Sequence, residues 1–214
     1  MKDHVEVVPI FPVPVYFAIN QNDIVSCIDY LENAPIQIEK SKETIDEYGT
    51  ISVDTHILDR TELAPLRNWI LEHVNNYCKN VLAWEYGKIQ LTQSWVSIKR
   101  KDEKHTYHKH PNSLVSGVFY WDEEKIENIS FLRPARQTNF EINRDTSRDA
   151  PYAFDHHNFT PLKNTLILFP SELQHGVPKN SSDKPRKSLA FNTFIFEKLG
   201  SVFSLTELDL TKIK

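Results

Sequence analysis

The middle of the chain reads His105-Thr106-Tyr107-His108-Lys109-His110-Pro111-Asn112-Ser113-Leu114-Val115-Ser116-Gly117-Val118-Phe119-Tyr120-Trp121. His108 and His110 stand two apart. On extended backbone, residues i and i+2 face the same way, so both imidazoles can reach one point, as a metal ion requires. The run Leu114–Trp121 that follows is apolar and dense in β-formers, and it reads as a core strand. Ligands at a strand end, backed by a buried strand, make a rigid mount for chemistry. A third ligand and a pocket have to come from elsewhere in the chain.

Working outward, the C-terminal side supplies candidates. Leu166–Phe169 is an apolar strand that ends at Pro170-Ser171, and His175 follows within a turn, 67 residues after His108. Eleven residues later Arg186-Lys187-Ser188 opens another apolar strand. Alternation puts Arg186 and Ser188 on one face, where a planar guanidinium fork and a hydroxyl can hold a carboxylate. From Lys88 onward the texture is β, with strands expected near 88–99, 114–121, 128–132, 138–142, 165–169 and 187–196. The charged run 99–106 reads as a solvated loop delivering His108 and His110. Asn143–Lys163 is a long polar excursion of the kind that forms a lid or binding loop.

The N-terminal side is different. Residues 5–19 mix Val, Pro and aromatics, which fits an edge strand or an extended wrap. Asn22 is a candidate cap for a short helix over 23–32. Residues 33–60 read as a long loop with at most short strands. The strongest helix covers 62–82, with Leu63, Leu66, Ile70, Val74, Tyr77, Cys78 and Val81 at three- and four-residue steps and Thr61 as N-cap. His73, inside that pattern, reads as a structural or exposed helix histidine and not as a ligand. Helices first and many strands later give an α+β class. The expected form is a double-sheet jelly-roll core with the N-terminal helices packed on one sheet.

Composition sets bounds. A chain of 214 residues, 40% hydrophobic and 25% charged, can bury one sizeable core, so a single domain over 1–214 is expected. Within it, 1–84 reads as a strand and helix support region, 85–200 as the catalytic core and 201–214 as a tail. The net charge of −4 with no basic run points away from nucleic acid. Cys27 and Cys78 show no CxxC spacing and read as free buried thiols in a reducing, cytoplasmic compartment. Met1–Val5 lacks a leader-like apolar run, and no apolar stretch nears the ~20 residues that span a bilayer. Five glycines and no GxGxxG or Walker pattern leave no phosphate cradle.

Four motifs stand in order: His108-Lys109-His110-Pro111-Asn112-Ser113, Ser116-Gly117-Val118-Phe119-Tyr120, Phe169-Pro170-Ser171-Glu172-Leu173-Gln174-His175-Gly176-Val177, and Arg186-Lys187-Ser188-Leu189-Ala190-Phe191-Asn192. As a set they resemble the iron(II)- and 2-oxoglutarate-dependent oxygenases, more closely a bacterial and phage-type subgroup. Ile10–Val15 and Leu58–Leu66 extend the resemblance over most of the chain. It implies a double-stranded β-helix (jelly roll) holding Fe(II) at its mouth. It also implies 2-oxoglutarate as cosubstrate, its far carboxylate on Arg186 and Ser188 with Tyr120 as an extra donor. The implied reaction is oxidative decarboxylation to succinate and carbon dioxide, with hydroxylation of a substrate C–H as the default outcome. The substrate, a small molecule or a protein side chain, is not readable; Trp95, Asn192 and the 143–163 loop are candidates for its wall, while Trp95 and Tyr120 also fit as core aromatics. The superfamily usually binds iron with two His and one carboxylate, and this chain has His110 where the acid would stand. The set His108, His110 and His175 is one reading. One member of the close pair with Asp122, Glu123 or water is another, and a different metal or none is a third. Rival functions are a cupin-like three-His enzyme that uses no 2-oxoglutarate, and a non-catalytic jelly-roll binding module.

Overall fold

The computed structural model describes residues 11–40, 50–122, 129–134, 143, 145 and 154–212. In chain order these hold β1 (Tyr16–Ile19), α1 (Val25–Asn33), β2 (Ile38–Lys40), β3 (Thr50–Ser52), α2 (Ala64–Asn76), β4 (Lys88–Lys99), β5 (His105–His108), β6 (Val115–Tyr120), β7 (Ile129–Leu132), β8 (His156–Phe159), β9 (Thr165–Pro170), β10 (His175–Val177) and β11 (Arg186–Phe196). A short ribbon pairs Lys198–Leu199 with Leu208–Asp209. The paired strands form one antiparallel sheet in the order β1-β9-β6-β11-β4-β3-β2 and a second in the order β5-β10-β7-β8.

Alternation along the strands divides the larger sheet into two faces. Val96 on β4, Val115 and Phe119 on β6, Leu166 and Leu168 on β9, and Leu189 and Phe191 on β11 are buried in one cluster with Leu66, Ile70 and Val74 of α2 and Cys27 and Leu31 of α1. The opposite face carries Tyr120, Ile167 and Phe169, which pack with Ile129, Phe131 and Leu173 from the smaller sheet and its approach. The helices thus cover the outer face, and the inner face is left to the second sheet and to the cavity between them. Tyr16 Oη lies 2.8 Å from His73 Nδ1 and Tyr77 Oη donates to the Pro14 carbonyl at 2.8 Å, which fastens the β1 edge to α2 and gives His73 its structural place.

Several expectations need correction. Asn22 does not cap α1. The chain turns there with Asn22 N–H donating to Asn20 Oδ1, and the residue before the helix is Ile24, without a side-chain cap. Thr61 likewise opens a 3-10 turn, Thr61–Leu63; Pro65, in the first turn, starts α2 proper, and after Asn76 the helix widens into a π turn, Tyr77–Val81. β5, β8 and β10, three to four residues each, were not expected as strands. The expected strand at 138–142 and residues 5–10 lie outside the described residues, as do residues 144 and 146–153 of the 143–163 excursion, whose later part holds β8. Cys27 and Cys78 are free and buried. Among the described residues no helix is long and apolar enough to cross a membrane.

Candidate metal centre

β5 and β10 are hydrogen-bonded neighbours, and His108 and His175 are register partners across them. Directly opposed residues project to the same face, so the two rings meet, their centroids 4.4 Å apart. Gly176 allows that approach: a Cβ there would sit 2.9 Å from the His105 carbonyl oxygen. His110 lies beyond the end of β5, and its place is set from behind. Its backbone N–H donates to the Ser171 carbonyl at 3.0 Å. Ser171, fully buried, donates through Oγ to Ser113 Oγ at 2.7 Å, and Ser116 Oγ lies 2.8 Å from Ser171 Oγ and from Asn192 Oδ1. The Pro-Ser turn after β9 thereby sets the His110 loop.

One ring nitrogen from each of His108, His110 and His175 falls within 4.8 Å of the others. His108 Nδ1 lies 2.8 Å from the Thr106 carbonyl and His175 Nδ1 lies 2.9 Å from the Leu173 carbonyl. A carbonyl can only accept, so both rings carry their proton on Nδ1 and turn an Nε2 lone pair inward, the orientation a metal ligand needs. His110 Nε2 is 3.2 Å from His175 Nε2. Two nitrogens ~2.0–2.2 Å from one ion at roughly right angles lie about 3 Å apart, so this spacing suits adjacent ligands of one ion. Burial, helped by the neighbouring His108, pushes His110 down to about 4 and His175 to about 3, and burial also lowers His108. All three are therefore neutral at pH 7, the protonation state that ligates. Among the described residues no carboxylate joins the group; Asp122 lies outside it, and Glu123 falls on residues not described.

Facing the histidines across a cavity of about 40 Å³ stand side chains of the larger sheet: Trp95, Ser97 and Lys99 of β4, Tyr120 of β6, and Arg186 and Ser188 of β11. The expected pair Arg186 and Ser188 does share a face. Arg186 Nη2 donates to Tyr120 Oη at 2.8 Å, while Arg186 Nε is buried without a hydrogen-bond partner among the described residues. An orphaned buried donor is costly unless something else accepts from it. Trp95 lines the same cavity, its ring 6.0 Å from that of His110. Asn192 does not line the cavity; its Oδ1 accepts from Ser116 in the network behind His110.

Four contributions escaped the sequence reading, those of Lys99, His105, Phe131 and Phe169. Lys99 is the last residue of β4 and inward-facing, not part of a solvated loop, and its alternation with Trp95 and Ser97 is the signal that was available. His105 stacks on His108 with centroids 4.1 Å apart. Phe131 is the register partner of His175 on its other side, and Phe169 packs against the His175 ring at 4.5 Å, so the centre has an apolar back wall.

Residues 93–192 match a family described as "Putative 2OG-Fe(II) oxygenase". No curated protein matches the chain. Solved structures share its fold. SnoN, a non-heme alpha ketoglutarate dependent epimerase from nogalamycin biosynthesis, aligns with a TM-score of 0.58 at 12% identity over 89% of this chain and 81% of that one. A prolyl-4-hydroxylase of Pseudomonas putida aligns with a TM-score of 0.53 at 13% identity, over 84% and 92%. HygX of Streptomyces hygroscopicus, solved with nickel, 2-oxoglutarate and hygromycin B, aligns with a TM-score of 0.51 at 10% identity, over 85% and 82%. Likeness this distant speaks to fold and not to substrate. Residues 93–192, which hold every expected site residue, thus resemble 2OG-Fe(II) oxygenases in sequence, and the chain shares the fold of solved structures described in those terms.

Proposed function

We propose that His108, His110 and His175 hold Fe(II), that Arg186 with Ser188 and Tyr120 holds the far carboxylate of 2-oxoglutarate, and that the chain hydroxylates a C–H bond of a small molecule or protein side chain. One observation carries this reading. Three neutral imidazoles converge at the smaller sheet, and two of them, His108 and His175, line the same cavity as a buried arginine of the facing sheet whose Nε has no hydrogen-bond partner among the described residues. The donor set fits both groups: imidazole suits Fe(II), and a guanidinium fork beside two hydroxyls suits a carboxylate. Bound there, iron and 2-oxoglutarate supply dioxygen activation and two electrons, with succinate and carbon dioxide as products. The chain's own part is to orient and to exclude water. Thr106 and Leu173 fix two imidazoles, Tyr120 fixes Arg186, and Ile129, Phe131 and Phe169 keep the inner face dry. Trp95 is the residue we assign to the substrate wall.

The strand order supports the fold half of the reading. From β4 to β11 the strands run through the two sheets in the orders β4-β11-β6-β9 and β5-β10-β7-β8, which is the strand order of a double-stranded β-helix, with residues 85–200 as its core and the flanking segments as support. The all-histidine ligand group favours one other reading, a three-His enzyme that uses no 2-oxoglutarate. Two measurements test both. His108→Ala and His175→Ala should abolish Mn(II) binding by calorimetry and leave circular dichroism unchanged; unaltered affinity in both variants removes the metal assignment. Wild-type protein with Fe(II) and ascorbate should decarboxylate 2-oxoglutarate and be blocked by N-oxalylglycine. Metal binding without any 2-oxoglutarate binding would leave the three-His alternative.

A further inference from the structure

β1 and β8 are edge strands, one of each sheet, and a second cavity of about 550 Å³ lies on the side where they face each other. That volume falls within the roughly 300–1,000 Å³ of small-molecule sites. Alternation builds its walls. On β1, Tyr16 and Ala18 pack toward the helices, which leaves Val15 and Phe17 for the inner face. On β7 and β8, Phe131 and Phe159 turn the same way, and the Phe17 and Phe159 rings meet across the two edges at 4.8 Å. Phe17 nevertheless stays 43% exposed and Phe154, on the same lining, 37%. Exposed aromatics gathered around one concavity mark a binding site more often than a stability device.

The polar groups collect on one rim. Arg133 N–H donates to the Asp155 carbonyl at 2.7 Å, and His156 and His157 are register partners of Leu132 and Phe131. This pairing brings a half-buried guanidinium and two imidazoles to the lining, which among the described residues includes no acid; Asp155 lies outside it. An apolar body with an anionic end is the ligand such a wall complements. Phe131 and Leu173 belong to the lining and also touch the metal centre. The Phe131 ring lies 6.1 Å from that of His175, and the Leu173 carbonyl accepts from His175 Nδ1. A ligand here is thus one residue away from His175.

Resting on the oxygenase reading above, we propose that this cavity recognises the substrate, and that the substrate is an apolar acid: an aromatic or aliphatic body lying against Phe17, Phe131 and Phe159, with its carboxylate on Arg133. Binding energy gathered on this body, away from the reacting carbon, serves to hold the substrate in place.

The test uses 4-fluorophenylpropionate with the matching alcohol and amine as probes, followed by fluorine NMR. Titrations run first on metal-free protein, so their outcome does not depend on the metal assignment. Wild type should bind the acid in preference to the alcohol and the amine. Arg133→Gln should bind the acid roughly tenfold more weakly, a charged hydrogen bond discounted for a half-exposed site, and the alcohol as before. Phe17→Ala should weaken acid and alcohol alike by about threefold to tenfold. Circular dichroism of both variants should match wild type. Mn(II) added to wild type should broaden the signal of the bound acid. Absence of binding, equal affinity for the three probes, or an Arg133→Gln variant that binds the acid as wild type does overturns the proposal. Binding of the acid without broadening in Mn(II)-loaded protein overturns its role as substrate. A ligand-free dimer in sedimentation that Phe17→Ala dissociates would place a second copy of the chain in the cavity and overturn the proposal too. Failure of wild type to bind Mn(II) strikes the metal assignment and is read separately from the metal-free titrations.

Discussion

Arg186 enters the cavity with one side of its guanidinium already engaged, Nη2 to Tyr120 Oη, and with Nε buried and without an acceptor. A carboxylate arriving there gains a preset donor and loses little side-chain freedom. Removing one partner of such a buried pair typically costs ~2–5 kcal/mol, roughly thirtyfold to several thousandfold in affinity. Arg186→Ala should therefore weaken 2-oxoglutarate by at least that lower factor in an anaerobic titration of Mn(II)-loaded protein, with Mn(II) affinity unchanged. Arg186→Lys should be intermediate, because a point charge does not reproduce the fork. Unchanged 2-oxoglutarate affinity in Arg186→Ala would refute the role. Arg186 and Ser188 could be read as a pair because two-residue spacing maps directly onto one strand face, whereas His110, beyond the end of β5, is placed by its backbone bond to Ser171 and His175 meets His108 by cross-strand pairing. Lys99 was illegible for the opposite reason: it heads a run of charges, and where a strand ends is the least readable property of a charged segment. Asn192 shares the inner-facing alternation of Arg186 and Ser188, but a register shift follows it in β11 and Ser116 takes its carbonyl. It serves the loop behind His110 and not the cavity.

At the level of elements, β6 is the strand on which the sheet's two faces depend. It runs between β9 and β11, turning Val115, Gly117 and Phe119 to the helices and Val118 and Tyr120 inward. Gly117 is there because its neighbours fill the space. An added Cβ would collide with the Phe191 ring tip and lie 2.7 Å from Leu168 Cδ2, both fully buried. Gly117→Ala should cost about 1–3 kcal/mol, the usual range for overpacking, read as a lower urea midpoint. Because that Cβ points away from the histidines, Mn(II) affinity should stay as in wild type. An unchanged midpoint would mean that the core beneath α2 yields freely. Long elements such as β4, β11 and α2 could be read from periodicity alone, since 11 to 13 residues give several repeats. β8 and β10 could not: three or four residues carry no period, and His156-His157-Asn158 looks like loop. Their strand state comes from partners, β7 for β8, and β5 and β7 for β10. The cap positions failed similarly: Asn20 Oδ1 and Asp23 Oδ1 accept from the Asn22 and Val25 N–H groups in place of an Asn22 cap, and Thr61 opens a 3-10 turn ahead of α2.

Across the whole molecule, the division of labour between sheets has a mechanical consequence. The three histidines belong to β5, β10 and the loop leaving β5, on the smaller sheet, while Lys99, Tyr120, Arg186 and Ser188 all belong to the larger one. On the proposed assignments a metal alone would tie together parts of one sheet and a dicarboxylate alone would touch chiefly the other. Only the two together would join both sheets across the cavity, so their effects on stability should be more than additive. Each ligand that binds only the native state at a hundred times its Kd contributes about 2.7 kcal/mol, or roughly 5–10 °C in Tm for a chain of this size. We expect Mn(II) to raise Tm within that range. 2-Oxoglutarate without metal should raise it by a degree or two on this scale, and the pair should exceed the sum of the separate shifts, since each ligand presents the other with half of its site. The excess should vanish in Arg186→Ala, which keeps the metal but lacks the anchor on the facing sheet. Strictly additive shifts in wild type, measured at fixed protein and ligand concentrations, would mean that the two groups do not share one cavity, and the assignment of Arg186 and the histidines to a single site would have to be abandoned.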